Sequence, residues 1–479
     1  MKIALYVVLG LIGLLLLLIL IAVIRTLLTK PKISAWQPKA DPEREKLYAE
    51  KLSKMVQVET VSYKGQIQRE KFLGFHKVLA ELFPLVHHKL EKTEIDGSLL
   101  YRWPGKKSDK PIVLMAHQDV VPAEGEWTHG HFSGDIEGGK VWGRGSADDK
   151  SPLMAIFQSI EELLADGFVP EQDVYISSSN TEEIGGEGCP KLVEEMKRRG
   201  VKPFLANDEG GTIVTEPMAG IPGNFAMVGI LEKGQGNLLI KAKSNGGHSS
   251  YPPKNSPIAR LSKFVCDIEK HYPMKSEFSP QLRTMLSTLS AYGPFHYRLL
   301  FGNLWLFKPL LTKLLPVLSP QAGALMRTTI APTMQSGSDG CNVLPQEATL
   351  NLNLRYIPHQ DMEESNEIIR RLAAKYDLEV QIQDAYSACE PIDTESDAFK
   401  LVEETVREIF PGLPIVPYIM TGGTDARYFE EICPACIRFA PVIYGPEQMK
   451  GMHGLNENME TVSLPGAVDY YKALIRKNR

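Results

Sequence analysis

Residues 3–24 are an unbroken run of 22 uncharged residues, most of them Leu, Ile or Val. A run of this kind has no stable place on a water-exposed surface. At 1.5 Å per helical residue it covers the roughly 30 Å hydrocarbon core of a bilayer. A cleaved secretory signal has a shorter apolar stretch, about 7–15 residues, followed by small residues in an A-x-A-like pattern. This run ends instead in Arg25-Thr26-Leu27. The expectation is an uncleaved single-pass anchor over residues 3–24, with the folded part of the chain after it. Only the amino terminus and Lys2 precede the run, whereas Arg25, Lys30, Lys32 and Lys39 follow it. Counted alone, that bias points the body toward the cytoplasm, though the side of the membrane stays open on sequence grounds.

The remaining chain is long enough for more than one core. With 479 residues, 43% hydrophobic and 23% charged, about two to four folding units are expected, and disorder is excluded. The formal charge is −5, from 53 basic and 58 acidic residues without long single-sign blocks, so no footprint for nucleic acid is present. Six cysteines are too few for a disulfide scaffold, and Cys433-Pro-Ala-Cys436 lacks a second CxxC to close a zinc cage.

Short apolar runs alternate with amphipathic segments from about residue 45. Residues 111–116 and 173–178 read as buried strands, and 151–165 as a helix. That alternation predicts an α/β domain around a mixed, mostly parallel sheet. From about residue 231 the texture changes, because 237–243 and 348–355 alternate polar and apolar residues, as in a sheet with one solvated face. From about residue 390 the first texture returns. The predicted organisation is a catalytic domain over 45–230 and 389–479, with an α+β lid domain of the dimerisation type, 231–388, inserted into it. Residues 295–318 are rich in Leu, Phe and Trp but are broken by Gly302, Pro309 and Pro316. They read as an apolar insertion packed on the body, on an active-site wall or on a membrane surface.

Open α/β sheets place their sites at the carboxyl ends of strands, and there the chain carries acids and histidines. His117 and Asp119 follow one predicted strand, two apart and so on one face of an extended chain. Asp148-Asp149 follow a glycine turn, Glu182-Glu183 and Asp208-Glu209 follow two further strands, and His453 lies near the C-terminus. Each pair alone has a plain reading as helix caps or solvated loop acids. Together they offer the nitrogen and oxygen ligands of a hydrolytic zinc or manganese site. Two divalent ions about 3.5–4 Å apart would offset the repulsion among the acids.

The ordered motifs HxDVVP, GRGxADDK, TEExGG, DEGG, GHSS, NVLP and GGTDAR, with a late histidine, resemble the M20 metallopeptidase family. Within it the resemblance is to the carboxypeptidase S and PM20D1-type N-acyl-amino-acid hydrolase branch, from about residue 45 to the C-terminus. It implies a binuclear zinc amidohydrolase or carboxypeptidase, with Mn2+ or Co2+ as possible substitutes. His117 resembles a ligand of one metal, Asp148 the carboxylate bridging both, and Glu183 and His453 ligands of the second. An acid of the Asp208-Glu209 pair resembles the last ligand; Glu209 is preferred, because acylase-like members with this DEG triplet use the glutamate.

By the same resemblance Asp119 orients His117, and Glu182 is the general base toward the attacking water. His248 resembles the family histidine that stabilises the oxyanion, often across a dimer contact. Arg355 resembles the arginine that grips a substrate carboxylate, with Asn342 and the 422–424 loop near the same end. The implied substrates are N-acyl amino acids or short peptides, with a homodimer through the lid domain as a possible partner. Other readings are a metal-dependent dipeptidase or small-metabolite amidase, and a non-catalytic membrane binding module, which would have lost a ligand or the base; no motif position is missing. His87, His88, His129, His131, His271, His296 and His359 lack motif support and read as surface or structural residues.

Overall fold

In the strand Lys107–Met115, Ile112 and Leu114 point into one hydrophobic cluster while Val113 and Met115 point into another. An apolar run without alternation is what a strand needs when both of its faces are covered. The computed structural model describes residues 2–66 and 68–479, and this strand lies at the centre of its largest sheet. Gln172–Ser178, Lys107–Met115, Leu205–Asp208 and Cys436–Arg438 run parallel, side by side. Antiparallel strands flank them, Ser98–Trp103 on one side and Asn224–Glu232 on the other. The whole sheet has ten strands and is mixed. Its central block is parallel and is flanked by antiparallel joins, while at the far margin Ile415–Met420 and Ile443–Tyr444 again pair in parallel, with Asn224–Glu232 and Thr212–Thr215; apolar runs alone do not reveal such connections.

Helices cover both faces. Pro42–Val56, Lys150–Ala165 and Ser463–Lys477 pack together over one. Gly188–Arg198 and Ala426–Phe429 cover the other. Lys150 begins its helix fully buried, and its ammonium donates to the carbonyls of Met55 and Val58 at 3.1 and 2.7 Å.

A second sheet of four antiparallel strands is built from Gly234–Lys243, Thr329–Ser336, Glu347–Tyr356 and Glu379–Tyr386. Leu238, Ile240, Leu350, Leu352 and Leu354 turn inward from it against the helices Pro257–Lys270 and Met362–Ala374. Here the sequence alternates because only one face is covered. The stretch between its strands behaves differently. Helices Pro280–Ser290, Phe295–Phe301 and Leu304–Leu318 join a cluster with Phe225, Met227, Leu231, Val416 and Ile419 of the main sheet. Residues 280–318 therefore lie within the 231–388 segment of the chain but pack on the first sheet.

The helix Lys2–Leu28 begins with side chains exposed along almost its whole length. Only near its end does it meet the body, where Ala22 and Thr26 are buried.

Between the two sheets a buried ion network holds the main sheet to the 422–424 loop. Arg438 and Glu232 are almost inaccessible. Arg438 Nε donates to Glu232 Oε2 at 3.1 Å, and Arg438 Nη2 to Glu430 Oε1 at 2.9 Å. Glu232 in turn accepts from the Thr424 amide at 3.1 Å and the Thr424 hydroxyl at 2.8 Å. Removing one side of such a pair leaves a buried charge uncompensated, which costs about 3–5 kcal/mol. Arg438→Met should lower unfolding free energy by about that amount in urea titrations, and the double variant Arg438→Met/Glu232→Gln should recover part of it.

Candidate metal centre

The local sequence explains how the acids come to one place. Each of the strands Lys107–Met115, Gln172–Ser178 and Leu205–Asp208 ends at the same edge of the parallel block, and their loops carry His117, Glu182-Glu183 and Glu209. In the Asp208-Glu209-Gly210-Gly211 turn, a Cβ on Gly211 would collide with the carbonyl oxygens of Arg438 and Met227. Only glycine lets the chain pass there.

Two groups of donor atoms converge, each within 4.8 Å: His117, Asp148 and Glu209, and Asp148, Glu183 and His453. Asp148 belongs to both. Its Oδ1 lies 3.0 Å from His117 Nε2 and its Oδ2 lies 3.1 Å from His453 Nε2. Glu209 Oε1 is 3.7 Å from His117 Nε2, and Glu183 Oε2 is 3.1 Å from His453 Nε2. His117 is buried whereas His453 is half exposed, so the cluster opens on the His453 side. One imidazole and two carboxylates per group is a donor set that fits zinc or manganese, and a shared carboxylate fits two ions side by side.

The neighbouring acid, Asp208, is turned away. Its two oxygens accept from the amides of Glu209 and Ala426 at 2.9 and 2.7 Å. Geometry therefore separates the two members of that pair, and Glu209 is the one facing the cluster. Asp119 supports the cluster twice over. Its backbone carbonyl accepts from His117 Nδ1 at 2.9 Å, with Oδ1 at 3.5 Å. Its carboxylate also accepts from Ser62 Oγ at 2.6 Å and from the amides of Glu182 and Glu183 at 3.1 and 3.2 Å. It thus fixes the imidazole and the Glu182-Glu183 loop at once.

Two supporting residues, Glu457 and His76, lie outside the motifs, and Arg144, though inside GRGxADDK, has no role there that the sequence shows. Glu457 is fully buried, paired with Arg144 at 2.6 Å, and accepts from the amides of Ala147 and Asp148 at 2.9 and 3.1 Å. It holds the backbone that presents Asp148. His76 is buried behind Gln118, 2.8 Å from Oε1, and burial pushes its pKa down to about 4, so it is a neutral prop. Burial is what marks these residues, and the sequence does not display it.

Three residues stand apart from the cluster. His248 and Asn342 sit at a two-stranded ribbon, Gly247–His248 with Val343–Leu344, and both are exposed. His248 Nδ1 meets Ser250 Oγ at 2.7 Å. Arg355 is half-buried on Glu347–Tyr356, between Gln235 and Thr329 of the neighbouring strands, and near Lys233 and Tyr386.

Charge within the cluster is crowded. Burial and then the surrounding carboxylates raise Glu182 and Glu209 well above the usual carboxylate range. Burial opposes a proton on His117, but hydrogen bonds to Asp119 and Asp148 outweigh it and raise the imidazole. Hydrogen bonds to Asp148 and Glu183 raise His453 to about 10. For Asp148, burial is overcome by the two imidazoles, which hold its carboxyl well below the usual range.

Imidazoles and carboxylates gathered on one sheet edge, in two groups sharing a carboxylate, define a metal-dependent hydrolase. The profile of peptidase family M20/M25/M40 matches residues 113–477, and the chain belongs to that family. A probable carboxypeptidase S-like 2 of Dictyostelium discoideum is 34% identical, over 89% of this chain and 84% of its own. The N-fatty-acyl-amino acid synthase/hydrolase PM20D1 of Xenopus tropicalis is 32% identical, over 92% of this chain and 87% of its own. Among solved structures, the M20 family metallo-carboxypeptidase Sso-CP2 of Sulfolobus solfataricus shares the fold, with a TM-score of 0.67 at 17% identity, over 90% of this chain and 99% of its own.

The raised imidazoles fix the sign of a pH effect. Protons held by His117 and His453 at neutral pH must leave when those nitrogens bind a cation, so affinity rises with pH. Zinc titrations of metal-stripped protein between about pH 6 and 8 should show apparent affinity rising about tenfold per unit for each proton released. A pH-independent affinity would remove the two imidazoles from the ligand set.

Proposed function

We propose that the protein is a membrane-anchored, two-zinc amidohydrolase. It cleaves an amide bond beside a free α-carboxylate, in N-acyl amino acids or at the C-terminal residue of small peptides. The pair of donor groups sharing Asp148 carries this reading, and the activities for which the relatives are named support it. His117, Asp148 and Glu209 would hold one ion, and Asp148, Glu183 and His453 the other. Ions held there would polarise the scissile carbonyl and acidify a water near neutral pH; Mn2+ or Co2+ would be substitutes.

The side chains divide the remaining work. Glu182 and Glu183 stand in the turn that Asp119 fixes through both of their amides, and Glu183 is the one that meets His453. Glu183 would therefore hold metal while Glu182 takes the proton of the attacking water and hands it to the leaving nitrogen. The four-stranded sheet and its helices act as a lid. Closure, or a second copy docked through the lid, brings His248 to the developing oxyanion and excludes water. Arg355 grips the substrate carboxylate through two parallel hydrogen bonds, with Asn342 and the 422–424 loop beside it. The Lys2–Leu28 helix, 27 residues long, serves as the anchor, and the basic residues after it favour a cytoplasmic body.

Glu182→Gln should retain about two metal ions per chain while turnover falls at least about a hundredfold, because a base is lost and no ligand is. Metal analysis of the purified variant is the check: loss of one equivalent would make Glu182 a ligand. Arg355 is tested by pairing protein and substrate changes. Charged hydrogen bonds of this kind contribute about 1.5–3 kcal/mol, so an N-acyl amino acid should exceed its C-terminal amide in kcat/KM by roughly ten- to a hundredfold. Arg355→Met should erase that preference and leave hydrolysis of the amide little changed. Equal losses on both substrates would make Arg355 structural. A panel of N-fatty-acyl, N-acetyl and dipeptide substrates separates the acyl-amino-acid reading from a dipeptidase.

A further inference from the structure

The helix Leu304–Leu318 turns an apolar face outward. Trp305, Leu310, Leu314, Val317 and Leu318 are exposed, Val317 by 80%. At about 100° per residue, Leu310, Leu314 and Val317 fall in one sector of the helix together with Lys313. Leu304 and Leu311 pack inward on the body. A surface helix of a water-soluble domain keeps its outer face polar. This one is apolar on both faces.

Charge sets the same region apart. The chain carries −5 overall, yet residues 278–338 contain no Asp or Glu and five basic residues: Arg283, Arg298, Lys308, Lys313 and Arg327. Residues 1–40 also contain no acid. The two acid-free stretches are packed on each other. Arg298 donates to the carbonyls of Thr26, at 2.7 Å, and Thr29. Asn303 donates to Thr26 Oγ1 at 3.1 Å, and the Lys32 amide to the Ala291 carbonyl at 2.8 Å.

Depth follows from that contact. Leu18, Ile19, Ala22, Val23 and Thr26 are the residues of the N-terminal helix that lose exposure, and the helices touching it are Phe295–Phe301 and Leu304–Leu318. Leu18 to Ile24 is about 9 Å of helix, and those residues belong to the apolar run itself. Whatever packs against them shares their depth. Interfacial helices bury about 5–10 Å in a leaflet, which matches.

We propose that Phe295–Phe301 and Leu304–Leu318 form a second, monotopic membrane element that lies in the leaflet on the body's side and binds anionic lipid. This inference rests on the anchor reading of the N-terminal helix. The outward apolar stripe enters the acyl boundary, while Lys308 and Lys313 face lipid phosphates, to which each basic residue near an anionic surface adds attraction. The cluster joining these helices to Phe225, Val416 and Ile419 fixes the catalytic sheet rigidly to the bilayer surface.

The test uses the full chain reconstituted into vesicles of phosphatidylcholine and phosphatidylserine, with lipids brominated near the headgroup end of the acyl chain. The emission of Trp305 is taken as the difference between wild type and Trp305→Phe. The proposal expects that component to be blue-shifted and quenched by the brominated lipid. In Lys308→Glu/Lys313→Glu the quenching should weaken in vesicles containing phosphatidylserine, with hydrolysis of a soluble substrate unchanged as the check on folding. A chain that resists alkaline extraction but shows an unquenched, water-exposed Trp305 overturns the proposal and leaves the anchor standing. A chain extracted by alkali, yet quenched at Trp305 when bound at neutral pH, removes the anchor and retains the platform. Extraction with no quenching overturns both.

Discussion

Five acidic and basic side chains converge on a space a few ångströms wide, and like charges in a poorly hydrated place repel strongly. Asp148 makes the arrangement tolerable. Its two oxygens face His117 on one side and His453 on the other, so a single carboxylate ties two groups of donors together. The surrounding structure serves to keep that carboxylate still. Glu457, held by Arg144, accepts from the Asp148 amide. Asp119 commits its carboxylate to Ser62 and to the loop of Glu182 and Glu183. Buried polar groups that are fully paired specify one geometry, and this one suits a pair of divalent cations.

Much of this was legible in the sequence, for identifiable reasons. The ends of strands are readable because apolar runs stop there, and the residues after those stops, His117, Glu182-Glu183 and Asp208-Glu209, are the chemically unusual ones. The covered strand Lys107–Met115 and the half-covered strand Glu347–Tyr356 differ in pattern because one has two apolar neighbours and the other has one. Three things were hidden. The mixture of parallel and antiparallel joins in the main sheet depends on connections. The roles of Glu457, Arg144 and His76 depend on burial, and a charged or polar residue in the sequence does not announce that it is inside. The choice between Asp208 and Glu209 depends on which backbone amides lie near, and those belong partly to Ala426, far along the chain.

The apolar segment at 295–318 had three readings in the sequence, and two of them turn out to be compatible. Its inner face packs on the main sheet, its outer face stays bare, and a helix with two apolar faces can satisfy both. It is two helices and not one rod, broken at Gly302-Asn303, while Pro309 and Pro316 fall inside Leu304–Leu318, which continues through both.

The position of one short strand governs how such a molecule can be made. Cys436–Arg438, near the end of the chain, lies between Leu205–Asp208 and Asn224–Glu232. On the ribosome, more than four-fifths of the polypeptide emerges before the strand that joins these two neighbours. Until then Leu205–Asp208 keeps one edge open, whereas Asn224–Glu232 already pairs with Thr212–Thr215 and Ile415–Met420 and meets the late strand only at Gly229. Arg438, which arrives on that strand, also brings the cation that Glu232 has been awaiting in the interior. Synthesis therefore ends with a closing step, in which one late segment completes the central block, neutralises a buried acid and is followed fifteen residues later by His453. A chain that stops short of it leaves one edge of Leu205–Asp208 unpaired and Glu232 without its buried cation.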